Sequence, residues 1–262
     1  MKLLLPFLGV ILVHFCGEAM AKTLFFDDFE DGVIDKKWDV TGVWDETDGH
    51  LACVESKVKF NYAIPEIPAE YRSKQITIQA KGKIIGAPWT RMGTAVRLTP
   101  RLNNAEAQDG KPTGHLGYCL TTGENGPSDV KLLNEGVQWI NLNKPVRPQL
   151  DQWVWVQLTV TAKQELIAKA WLDGEEEPPK PIGSVKQWKK KNGTVVKQNR
   201  PAGPAGLVGK AMEAWGRGGA TPVYDEVEIW DADGPSERSK AVASAGKLSL
   251  TWGKLKAIAP YR

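Results

Sequence analysis

The sequence predicts an all-β protein built as a two-sheet antiparallel sandwich or jelly roll. The run Trp153-Val154-Trp155-Val156-Gln157-Leu158-Thr159-Val160 alternates strictly. Val154, Val156, Leu158 and Val160 fall on one face, and Trp153, Trp155, Gln157 and Thr159 on the other, the pattern of a half-buried strand. Similar short runs recur along the chain, separated by Gly, Pro, Asn and Asp. No segment after residue 21 carries the periodicity of a long amphipathic helix.

The chain opens with Met1-Lys2, an apolar run from Leu3 to Phe15, and Ala19-Met20-Ala21. A basic start, a short apolar stretch and small residues at alternate positions predict a signal peptide over 1–21, cleaved after Ala21. The run is too short for an ordinary spanning helix, and nothing later is long and apolar enough to span a membrane. A lipoprotein signal at Cys16 is the rival, disfavoured by bulky Phe15 where a small residue is required. Export implies a secreted, periplasmic or cell-surface location. Residues 22–234 then form one sandwich domain, and residues 235–262, polar and small at first, a flexible tail. Within that tail Leu248–Gly253 either docks back as a strand or stays loose.

Strands are predicted in order. Thr23–Phe29 runs up to Asp31-Gly32, and His50–Val54 follows Asp48-Gly49. Gln75–Lys83 directs Gln75, Thr77, Gln79 and Lys81 outward, and Thr94–Thr99 directs Arg97 and Thr99 outward. His115–Thr121 has Leu116 and Leu120 inward, which takes Tyr118 inward with them, and Val130–Leu133 follows. Trp153–Thr161 and Glu165–Leu172 form the clearest hairpin, linked by Ala162-Lys163-Gln164 and closing in the turn dipeptide Asp173-Gly174. Glu175–Pro204, rich in Glu, Pro and Lys, reads as a long exposed loop, after which Gly206–Gly209 and Val223–Trp230 complete the set. No internal repeat is present.

The net charge of +3 lacks the concentrated basic face of a general nucleic-acid binder. Lys186, Lys189, Lys190, Lys191 and Lys197 cluster in a Gly/Pro-rich stretch and read as a solvated loop. Cys53 and Cys119 are the cysteines left after cleavage; export permits a disulfide, and the count leaves the paired and reduced states both open. Two cysteines alone cannot build a structural zinc site.

Phe25-Phe26-Asp27-Asp28-Phe29-Glu30-Asp31-Gly32, Lys37-Trp38, Gly42-Val43-Trp44 and Gly49-His50-Leu51 resemble the start of concanavalin A-like (laminin G-like) domains. Ala170-Trp171-Leu172-Asp173-Gly174, Gly206-Leu207-Val208-Gly209 and Val223-Tyr224-Asp225-Glu226-Val227-Glu228-Ile229 resemble later strands of the same superfamily. The resemblance spans residues 23–231. It implies a jelly roll with a concave face that commonly holds carbohydrate, in a lectin-like module, an attached binding domain or a glycoside hydrolase.

A glycosidase needs two carboxyl groups flanking the scissile bond. The Glu-x-Asp-x-x-Glu strand of the glucanase branch is absent, and none of the outward positions assigned above is acidic. Glu226 and Glu228 share a face of the last strand, which the resemblance places in the convex sheet, away from sugar. The start is also similar to the 3-keto-disaccharide hydrolase group. The Asn-Ser-Gly…Arg segment of that group is missing, with Met92-Gly93-Thr94-Ala95-Val96-Arg97 near its place. Of the histidines only His50 and His115 lie beyond the signal, and no Ser/His/Asp or Cys/His set is evident.

Sugar rings present C–H patches that aromatic faces cover and hydroxyls that amides and cations bind. Trp155 and Trp171 with Gln79, Arg97, Gln157 and Lys169 offer both, so these six are the candidate ligand-binding residues. Their positive charge points to carbohydrate of acidic or sulfated type. The rival reading covers Trp153 or Trp155 with a loop such as Glu175–Pro204 and makes it satellite core. Trp89 and Trp215 rim a cleft or act as packing anchors. The resemblance further implies a structural calcium on Asp225, with carbonyls near Glu30 and Gly49, and Asp27-Asp28 as a weaker set. The predicted function is a secreted, non-catalytic, lectin-like carbohydrate-binding module. The alternatives are a glycoside or 3-keto-disaccharide hydrolase using loop carboxylates and an adhesion module with a protein partner.

Overall fold

The computed structural model describes residues 21–34, 36–54, 61–86, 90–100, 115–123, 126–133, 140–141, 146–181, 183–185, 188–189, 195–196, 202–210, 212–213 and 219–231. The predicted signal peptide and tail therefore lie outside the described residues, apart from Ala21, as do Trp89, Trp215, Lys186, Lys190, Lys191 and Lys197.

The strands are β1 Thr23–Asp27, β2 Trp38–Thr41, β3 Trp44–Thr47, β4 His50–Cys53, β5 Asn61–Pro65, β6 Ile76–Gly86, β7 Arg91–Pro100, β8 His115–Gly123 and β9 Gly126–Leu133. They continue with β10 Ile140–Asn141, β11 Val154–Val160, β12 Leu166–Leu172, β13 Gly183–Val185, β14 Trp188–Lys189, β15 Val195–Val196, β16 Gly206–Lys210, β17 Met212–Glu213 and β18 Gly219–Trp230. The helical element among the described residues is a 3-10 turn, Ala69–Tyr71. None of their helices is long and apolar enough to cross a membrane.

Two antiparallel sheets hold most of the strands. The larger runs β13-β12-β11-β6-β18-β4-β3, with β1 and β17 also on β18, and the smaller runs β10-β9-β8-β7-β16-β5-β2. Alternation decides which face is dry. Val154, Val156, Leu158 and Val160 meet Ile76, Ile78, Ala80, Val227 and Ile229 of their own sheet and Met92, Val96, Leu120, Val130 and Leu207 of the other. All are buried, and each aliphatic side chain contributes roughly 1.5–3 kcal/mol. Tyr224 ties the layers together. Its hydroxyl accepts from the Gly93 N–H (2.8 Å) and lies within donating distance of the Val208 (2.6 Å) and Gly93 (3.0 Å) carbonyls. Full burial pushes this phenol far above its ordinary pKa, partly offset by the Gly93 and Val208 backbone.

All ten predicted strands are present, lengthened or trimmed at their ends. Sequence reading missed β2, β3 and β5, whose runs are only four or five residues long. The stretch predicted as one long loop carries the short strands β13, β14 and β15. Cys53 and Cys119 are buried thiols without a disulfide.

Candidate functional site

The outward face of the larger sheet gathers most of the predicted residues. Trp155 stands opposite Trp171 on β12 and Lys81 on β6. Gln157 stands opposite Lys169 and Gln79, and Thr159 opposite Ile167 and Thr77. These registers put the two indoles side by side. Their centroids are 6.0 Å apart and their planes 11° from parallel. Trp171 is only 7% exposed, so it backs Trp155 rather than offering a surface of its own.

One half of this face is closed. Gln157 Nε2 donates to Gln79 Oε1 at 2.9 Å, and both amides are buried. The Thr77 and Thr159 hydroxyls are 2.8 Å apart. Glu228, 2% exposed, accepts from the Thr23 hydroxyl at 2.8 Å. Lys169 is paired with Glu177 from the segment that follows β12.

The other half is open and centres on Lys81. Its ammonium lies 5.3 Å from the Trp153 ring centroid and 5.9 Å from that of Trp155. It is 3.0 Å from Asp225 Oδ2 and 3.3 Å from Asp173 Oδ2. Burial pulls its pKa down, but the Asp225 and Asp173 carboxylates more than offset this and hold it above the ordinary lysine value. Trp155 Nε1 donates to Asp173 Oδ1 at 2.9 Å. Lys83 lies 4.7 Å from the Trp153 ring and 2.6 Å from Asp151 Oδ1. His50 meets Trp153 edge-on at 5.2 Å, and its Nδ1 is 3.3 Å from Asp225 Oδ1. His50 is placed by the two-residue turn Asp48-Gly49, both at positive φ, between β3 and β4.

Four expectations need correction. Arg97 is not on this face. It sits on β7 of the smaller sheet, 1% exposed, where φ is +56° beside a register shift between Val96 and Thr99. Its guanidinium donates to the carbonyls of Arg72, Ser73 (3.0 Å) and Lys74 (2.6 Å). The face is not free of carboxylates, because Asp173, Asp225 and Glu177 pair with its lysines. The last strand, expected in a separate sheet, lies beside β6 in this one and brings Glu226 opposite Lys81 and Glu228 opposite Gln79. Trp171, expected as an exposed platform, is buried.

Of the residues expected around calcium, Glu30 lies by Gly49, and Asp225 meets His50, the residue after Gly49. The Cβ position of Gly49 is 3.4 Å from both Glu30 carboxylate oxygens. The Asp225 carboxylate lies 3.0 Å from the Lys81 ammonium and 3.3 Å from His50 Nδ1. Asp27 accepts from Trp38 Nε1 (2.8 Å) and Phe29 N–H (3.0 Å). Among the described residues no three Asp, Glu, His or Cys side chains converge as metal ligands. Sequence reasoning missed Lys83, His50, Asp151 and Asp173 as neighbours of Trp153. The alternation of His50 with Leu51 in β4 was the signal that could have found the first.

No protein-family model and no curated protein matches the chain. Solved structures do. The GH43 BlXynB protein from Bacillus licheniformis superposes with a TM-score of 0.50 and 15% identity over 79% of this chain, which spans only 39% of that longer one. The VIP36 exoplasmic/lumenal domain in its metal-free form gives 0.50 at 9% identity, over 82% of this chain and 95% of that one. A legume lectin-like domain from Entamoeba histolytica gives 0.49 at 10% identity, over 75% and 91%. The shared feature is the fold, a two-sheet antiparallel β-sandwich.

Proposed function

We propose that this chain is an exported, non-catalytic, lectin-like carbohydrate-binding module, and that sugar binds on the open half of the larger sheet's outward face. The observation that carries the reading is the Trp153–Lys81–Trp155 arrangement, two half-buried indoles flanking one ammonium. Indole surface suits the C–H side of a sugar ring. Lys81 donates to hydroxyls, and Asp173 and Asp225 accept from them. Trp171 stiffens Trp155 from behind, which reduces the ordering cost of binding. Each lysine of the face has a carboxylate partner, so this surface suits a neutral sugar better than the acidic one inferred from sequence. Catalysis is a poorer reading. Glycoside hydrolysis divides two carboxyl groups into an acid and a base or nucleophile. Here Asp173 and Asp225 both accept from one ammonium, which suits holding rather than proton donation.

The test is a glycan array probed with the chain and with a Trp153→Ala/Trp155→Ala variant matched by circular dichroism. Binding to neutral glycans that falls by roughly tenfold or more in the variant is the expected result, as for loss of stacked aromatic anchors. No binding by the intact chain, or binding indifferent to the variant, overturns the reading.

A further inference from the structure

We infer a second site, for a saccharide bearing a carboxylate or a sulfate ester, in a cleft at the β2–β5 end of the smaller sheet. The inference rests on the carbohydrate reading but uses none of its residues. The cleft has a volume of about 480 Å³, within the range of small-molecule sites. Ile64, Pro65, Leu98 and Pro204 contribute apolar lining. Lys36, Lys37 and Arg72 line it against only two carboxylates, Asp39 and Glu66.

A further positive charge lies behind this wall. The buried Arg97 guanidinium rests on the carbonyls of Arg72, Ser73 and Lys74 and not on a carboxylate, and its Nε has no partner among the described residues. Burial accordingly lowers its pKa. Lys36 and Arg72 make no ion pair with any described residue, whereas Lys81, Lys83 and Lys169 on the other sheet are each paired. An excess of positive charge around a concave site with some apolar lining attracts an anion that also carries C–H surface. Asp39 and Glu66 supply acceptors for its hydroxyls.

The wall is built in advance. The Arg72 carbonyl accepts from Gly203 N–H (2.9 Å) as well as from Arg97, and Leu98 N–H donates to the Pro204 carbonyl (3.0 Å). The Arg72 side chain is exposed, and its structural ties run through the backbone. Lys36→Ser/Arg72→Ser therefore removes charge from the cleft without removing those ties.

The experiment is ligand-observed NMR titration of the full chain with glucuronate, glucose 6-sulfate, glucose and inorganic sulfate, at low and at raised salt. The intact protein is expected to bind the two acidic sugars, more weakly as salt rises, and to prefer them to glucose and to sulfate. Lys36→Ser/Arg72→Ser should weaken them by about tenfold or more, the loss of charge-assisted contacts, while Trp153→Ala/Trp155→Ala should leave them unchanged. Failure of both acidic sugars to bind, or equal binding by the cleft variant, overturns the inference even if neutral glycans still bind the other face. Sulfate binding as tight as glucose 6-sulfate also overturns it, since the cleft would then recognise only the anion. Acidic sugars lost with the cleft variant while neutral glycans fail to bind would uphold this site and sink the one on the larger sheet.

Discussion

At Glu46, on β3, two carboxyl groups meet. The side chain is 8% exposed and hydrogen-bonded to Asp31, with the Asp27 charge close by. Burial first, then the Asp31 hydrogen bond and charge, raise its pKa from 4.5 to about 7, against a smaller lowering by the Val33 backbone. The folded state therefore holds this proton more tightly than the unfolded chain does. Its contribution is fully present below the unfolded value and is lost as pH rises from about 4.5 to about 7. In Glu46→Gln that part of the pH dependence should vanish. Urea unfolding at pH 5 and pH 8 checks this: the variant should lose less stability between the two pH values than the parent. An identical loss in both proteins would assign the titration to another group.

Strand β18 pairs with β1, β4, β6 and β17, and its Tyr224 hydroxyl bonds the backbone of the opposite sheet. Tyr224→Phe keeps the ring in the core but strips the buried Gly93 N–H of its acceptor. An unsatisfied buried donor costs about 1–3 kcal/mol, so the urea midpoint should fall by the corresponding amount with an unchanged slope. A steeper or shallower slope would mean that the sheets had rearranged rather than lost one bond. The same strand marks the limit of sequence reading. Alternation and the short link recovered the pairing of β11 with β12 and put Trp155 and Trp171 on one face; the register, Trp155 opposite Trp171, comes from the structure. Alternation failed wherever one residue is inserted. The irregularity between Tyr224 and Glu226 accompanies the approach of Asp225 to Lys81, and the one between Val96 and Thr99 contains Arg97 at positive φ. A period of two carries no trace of such an insertion, which shifts every later side chain. Nor does alternation assign a strand to a sheet, which is why Glu226 and Glu228 were expected on the wrong side. The burial of Trp171 depends on tertiary packing that the pattern of β12 cannot express.

For the molecule as a whole, the larger sheet is assembled from distant parts of the sequence. Residues 219–230 pair with β1, β4 and β6, 200 or more positions away in the first case. A chain stopped at residue 218 should lack the near-ultraviolet circular dichroism of packed tryptophans and show no cooperative melt. A native-like spectrum from that fragment would mean that β6 and β11 build a stable core without β18.

The position of β18 also sets when the larger sheet can be completed. This strand lies between β6 and β4 and also pairs with β1, yet it leaves the ribosome after all three. Until then β1, β4 and β6 of the nascent polypeptide each keep open the edge that β18 will cover. Completion of the larger sheet is thus deferred to the end of synthesis.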